Sequence, residues 1–195
     1  MITKPHDWET AESYTGEGGP KMTPGGHICR IVGMRQENSK STNRPMIVVA
    51  FDVDEGGELD GFYMANLRER KKQNPSATWQ GVIRFMLYGK DGTSANPYFK
   101  GFIKSLEESN PGYIWNWDEK SAVQKKIGIV MREEEYRAQD GNIRTSVKAW
   151  QARSVQAILD GLAMPEKKKL NDDRPAQPFD PTAGFTAVDD DTLPF

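Results

Sequence analysis

The spacing of apolar and polar side chains changes period several times along this chain, and the changes divide it into elements. Residues 27–35 (HICRIVGMR) and 46–53 (MIVVAFDV) are short, β-branched and bounded by turn residues, which predicts two strands. The polar loop QENSKSTNR joins them. ELDGFYM (58–64) reads as a third strand, and WQGVIRFMLYG (79–89) is a further apolar run with two greasy faces. The period then becomes helical. Phe99, Phe102, Ile103 and Leu106 fall at i, i+3, i+4 and i+7 behind a capping Asn96 and Pro97 at the first helical position, and Asn110-Pro111-Gly112 stops the helix. KKIGIVMREEEYR (125–137) and NIRTSVKAWQAR (142–153) return to strand character, with Asp140-Gly141 as the hairpin turn between them. SVQAILDGL (154–162) reads as a short closing helix with Val155, Ile158, Leu159 and Leu162 on one face.

Outside these elements the pattern fades. Residues 1–24 form a loose lead-in that Trp8 and Tyr14 can tack onto the body, and the body occupies residues 25–163. From 164 to 195 the composition collapses to Lys, Asp, Pro, Ala and Gly with scattered Phe, too little apolar surface to repay ordering, so a disordered acidic tail is expected there. A coil of that length reaches about 30 Å. Strand pairs, one helix between the third and fourth main strands, a last hairpin and a short C-terminal helix predict a mainly β fold, a small closed or partly closed barrel. The five-stranded oligonucleotide/oligosaccharide-binding (OB) barrel is the candidate.

Composition adds limits. A chain of 195 residues fits one domain with tails. No apolar run reaches the roughly 18 to 20 residues that cross a bilayer, and MITKPHDWET lacks the basic start and apolar middle of a signal peptide, so a cytoplasmic protein without membrane partners is expected. Cys29 is the only cysteine, which excludes an intrachain disulfide or a cysteine zinc cluster and leaves it to pack as a small apolar side chain. The net charge of -2 hides an asymmetry: six Asp and one Arg from Leu170 onward give -5, leaving +3 for residues 1–169. A mildly basic body points to a polyanion partner.

Catalytic chemistry is hard to build here. His6 and His27 are the only histidines, and no nucleophile motif accompanies them. GKDGTS (89–94) lacks the spacing of a phosphate loop and reads as a turn. The carboxylates of FDVDEGGELD supply the rival reading, a metal-dependent nuclease using Asp52 and Asp54 on one strand face, against a solvated hairpin end. Otherwise the inventory calls for no metal, no cofactor and no enzymatic activity.

Alternation in the last two strands points elsewhere. Ile143, Val147 and Ala149 suit a core, while Arg144, Lys148 and Trp150 take the opposite face. The preceding strand sets Lys126, Arg132 and Tyr136 against Ile127, Ile129 and Met131. Cations that follow phosphates beside flat rings that stack on bases are what single-stranded nucleic acid requires. Lys40 and Arg44, in the loop after the first strand, are placed to close over a bound strand. Arg68, Arg70, Lys71 and Lys72 form a second basic patch for which plain solvation is the default, and Trp79, Phe85 and Tyr88 read as core.

The chain ends DDDTLPF. This resembles the acidic tip of bacterial single-stranded DNA-binding proteins, and the upstream PFDP and GFTAVDDD are similar to their linkers, although Thr192 separates Asp191 from Leu193. The order of GHICRIVGMR, MIVVAFDV, a long insertion holding the helix and REEEYRAQDGNIRTSVKAW is similar to single-stranded DNA-binding proteins of bacteriophages of Gram-positive hosts. That resemblance implies a barrel that coats single strands in phage replication or recombination. It also implies a tip, Asp189, Asp190, Asp191, Leu193, Pro194 and Phe195, that recruits replication or repair proteins, with Phe195 filling an apolar pocket and its carboxylate meeting a cation. A homo-oligomer and a protein-only adaptor stay open as alternatives. The opposite charges of body and tail add the expectation that the tail occupies the basic groove when DNA is absent.

Overall fold

Five strands carry the body: β1 (Gly25–Asn38), β2 (Pro45–Val53), β3 (Val82–Met86), β4 (Lys126–Arg137) and β5 (Ile143–Arg153). The computed structural model describes Lys4, His6, Glu9, Thr10 and residues 19–170. Trp8, Tyr14 and the tip from Asp189 to Phe195 lie outside the described residues. The strands form one antiparallel sheet in the order β3-β2-β1-β4-β5. β1 is long because it serves two partners. Gly25 to Arg30 pair with Met131 to Lys126 of β4, while Cys29 to Asn38 pair with Val53 to Pro45 of β2 across a register shift between Ile31 and Gly33. Such a bulge bends a strand and strengthens its twist. The edge strands β3 and β5 approach within 8 Å between Cα atoms without pairing.

Cys29, Ile31, Val49, Phe51, Ile83, Phe85, Ile127, Ile129 and Met131 face one core, covered by the helix α2 (Pro97–Ser109) through Phe99, Phe102 and Leu106. Phe85 and Phe102 stack with centroids 4.8 Å apart. α2 starts as its sequence predicts: the Asn96 side chain accepts from Tyr98 N at 2.9 Å, and Pro97 opens the first turn. It also lies between the third and fourth strands.

The strand expected at 58–64 is a helix instead, α1 (Phe62–Gln73), so the third strand is β3, cut from the apolar run at 79–89. Two features override the alternation. Gly56, Gly57 and Gly61 take φ of 74°, 83° and 66°, turning the chain where a strand would continue. Gly61 then offers no side-chain cap, and Asp52, at the end of β2, supplies one across space by accepting from Tyr63 N at 2.8 Å and Met64 N at 3.1 Å.

The short closing helix α3 (Val155–Leu159) is capped by Ser154. Ile158 lies so close to Gly128 that a Cβ there would sit 2.5 Å from it. Of the four apolar residues expected on one face, Leu159 and Leu162 are exposed. The chain also stays paired past the expected body boundary at 163. Lys168 N donates to Glu133 O and Glu135 N to Lys168 O, both at 2.9 Å, laying residue 168 along the edge of β4 that β1 no longer covers. Among the described residues no helix is long and apolar enough to cross a membrane.

Candidate nucleic-acid interface

Because β4 meets Gly25, the first residue of β1, at Met131, its second half has β5 as its only strand neighbour among the described residues, with the segment around Lys168 along its other edge, and projects as an arm. Arg132 lies opposite Lys148, and Tyr136 opposite Arg144. A register shift at the root of the arm sets Met131 against Ala149 and Val130 against Gln151, which leaves Trp150 as the extra residue. Released from regular pairing, its ring takes the Arg132 guanidinium on one face, 4.6 Å from the centroid, and remains 40% exposed. Arg132 is held there by Glu134, Nη2 to Oε1 at 2.7 Å. That hydrogen bond, with Lys168 Nζ 3.8 Å from the other oxygen, holds the Glu134 carboxyl below the usual range.

Between the unpaired edges of β3 and β5 lies a groove of about 1000 Å³. Its wall includes Lys148 and Trp150 from β5, Arg84 from β3, Lys21 from the segment before β1, and Asn66 from α1. Among the described residues three cations line it and no acid does. Ser146 Oγ, also on this wall, is buried and has no hydrogen-bond partner among the described residues. An unpaired hydroxyl beside cations and a half-exposed indole suits a ligand carrying phosphates, acceptors and flat rings.

The predicted contact residues divide into three groups. Arg132, Lys148 and Trp150 come together at the root of the arm. Tyr136, half-exposed, and Arg144, whose guanidinium is 2.6 Å from Asp140 Oδ2, sit farther out on it. The other cations lie elsewhere. Lys40 is exposed in the β1–β2 turn, at the end of β1 far from the arm, and Arg44 ties that turn to the chain leaving β3 by donating to Tyr88 O at 2.9 Å and to Gly89 O. Lys126, opposite Arg30, has its Nζ 3.8 Å from Asp54 Oδ2 and does not line the groove. Ile143, expected in the core, is 54% exposed because the arm carries it beyond the core of the sheet.

Sequence reasoning missed Lys21, Arg84, Asn66 and Ser146. Arg84 had a signal, since it alternates with the buried Ile83 and Phe85. Lys21 had none, because only the fold brings the lead-in to β5. Of the aromatics read as core, Phe85 is buried and Trp79 donates to Phe51 O and Gly81 O at 3.2 and 3.0 Å, whereas Tyr88 is 41% exposed.

The carboxylates of the nuclease reading have structural partners. Asp52 is 6% exposed and caps α1, while Asp54 lies 3.8 Å from both Arg30 Nε and Lys126 Nζ. Glu55 accepts from Ile28 N and meets His27 Nδ1, each at 3.0 Å. No group of three or more His, Cys, Asp or Glu able to hold a metal occurs among the described residues. In GKDGTS, Asp91 accepts from Thr93 N and Ser94 N, a side-chain-closed turn. Cys29 is buried, and burial pushes its thiol up, away from reactivity.

No protein-family model matches this chain, and a search of curated proteins gives no significant match.

Proposed function

We propose that the protein binds single-stranded DNA, of the kind exposed in phage replication and recombination, on a partly open OB barrel. Five antiparallel strands with approaching, unpaired edges and a helix between the third and fourth support that barrel. The observation that carries the function is the groove at this gap, where Lys21, Arg84 and Lys148 gather with no acid among the described residues and Trp150 presents its indole beside them. Phosphates follow the cations and bases stack on the ring, which gives affinity with little sequence preference. The tip from Asp189 to Phe195 then serves as the ligand for replication or repair proteins, a role supported by its sequence.

Anisotropy of a labelled 30-base single strand tests this reading. Saturable binding that weakens steeply with salt, with a duplex of the same sequence bound less well, is expected. Absence of binding at low salt would overturn it, and cleavage of the strand on adding magnesium would restore the nuclease reading.

A further inference from the structure

α1 has one face in the body and one in solvent. Phe62 and Tyr63 pack on the core, Asn66 lines the groove, and Arg70 Nη1 donates to Thr78 O at 3.0 Å, tying the last turn to the segment that enters β3. At 3.6 residues per turn these four share a face, and Arg68, Lys71 and Lys72 fall about half a turn away, all exposed. From Arg68 to Lys72 there are four cations and one acid, an excess of +3, equal to that of residues 1–169 as a whole. Glu69 offsets Lys72 at 2.8 Å, and neither Arg68 nor Lys71 has an ion-pair partner among the described residues. The negative end of the helix favours cations in its last turn but does not remove the repulsion among neighbours of one sign.

We infer that the outer face of α1, through Arg68, Lys71 and Lys72, is a second phosphate-contact surface, onto which a single strand passes as it leaves the groove. The inference rests on the single-strand reading of the groove. Continuity supports it: Phe62, Tyr63 and Asn66 at the start of α1 already line the groove, and the exposed Arg68, Lys71 and Lys72 follow within two turns on the same helix. A short strand fills the groove alone, and a longer one covers both.

The test compares the full chain with its Arg68→Ala/Lys71→Ala/Lys72→Ala variant, binding 8-base and 30-base thymidine strands across a salt series. Each phosphate contact on a single strand contributes about 0.7 to the slope of log affinity against log salt. The variant is expected to lose about 2 from the slope on the 30-base strand and nothing on the 8-base strand. Equal slopes for both proteins on the 30-base strand overturn the proposal while leaving the groove intact. No binding by the unaltered chain overturns both. The same comparison in a background lacking residues 171–195 separates the other polyanion in reach: if the loss disappears there, the basic face holds the chain's own acidic segment, and the proposal fails.

Discussion

Replacing Asp52 by alanine tests how the fold builds the wall that the groove depends on. The Asp52 carboxylate is 6% exposed and accepts three backbone N–H groups: Val53 at 3.0 Å, Tyr63 at 2.8 Å and Met64 at 3.1 Å. The last two are among the four donors that every helix start leaves unpaired, and Gly61 has no side chain to meet them. Alanine removes an N-cap, worth about 0.5 to 2 kcal/mol, and leaves the Tyr63 N–H unpaired at a buried residue, at about 1 to 3 kcal/mol. The two overlap, so Asp52→Ala is expected to lose about 2 to 4 kcal/mol in urea unfolding. Asp52→Asn keeps one acceptor but turns an N–H toward Met64 N–H, and about 1 to 2 kcal/mol is expected. Tryptophan fluorescence reads the midpoint. An alanine variant within about 0.5 kcal/mol of the parent would refute the capping role. One more stable than the parent would mark Asp52 as a buried charge kept for another task, such as holding a metal.

Other consequences can be measured on the same footing. Trp150→Ala should weaken single-strand binding by about 1 to 3 kcal/mol, with the urea midpoint nearly unchanged because the ring is half-exposed. Glu134 has its carboxyl held low in the folded state, first by the Arg132 hydrogen bond, so its stabilisation is complete above the ordinary glutamate value and fades as pH falls through the folded one. Unfolding free energies of the parent and Glu134→Gln should therefore converge on acidification below about pH 4.5; a gap that widens instead would contradict the assigned direction. Removing residues 171–195, which carry -5, should tighten DNA binding at low salt and leave it unchanged at high salt; equal affinity at low salt would end the autoinhibition idea.

What could be read from the sequence followed the reach of each signal. β1, β2, β4, β5 and α2 are fixed by local period, caps and turns, and they appear where those signals lie. α1 escapes the local pattern because its cap comes from Asp52, eleven residues before Tyr63, a contact that no local period records. Arg132, Lys148 and Trp150 were legible through alternation, yet the bulge that frees Trp150 depends on how β4 and β5 register. Arg44 reads from the sequence as a loop cation, and its ties to Tyr88 O and Gly89 O, 44 and 45 residues on, lie beyond any local pattern. Lys21 and Arg84 reach the candidate site through the approach of the β3 and β5 edges, which sequence periodicity does not encode.

The most direct measurement of the central claim is tryptophan quenching by a 30-base single strand, at low and high salt, for the parent chain and for Trp150→Phe. Strong quenching at low salt that salt abolishes is expected, with a clear loss of amplitude in the Phe variant, whose binding stays close to that of the parent because a ring is kept. No quenching at low salt, or quenching that is identical in Trp150→Phe, would contradict the placement of single-stranded DNA in the groove between β3 and β5.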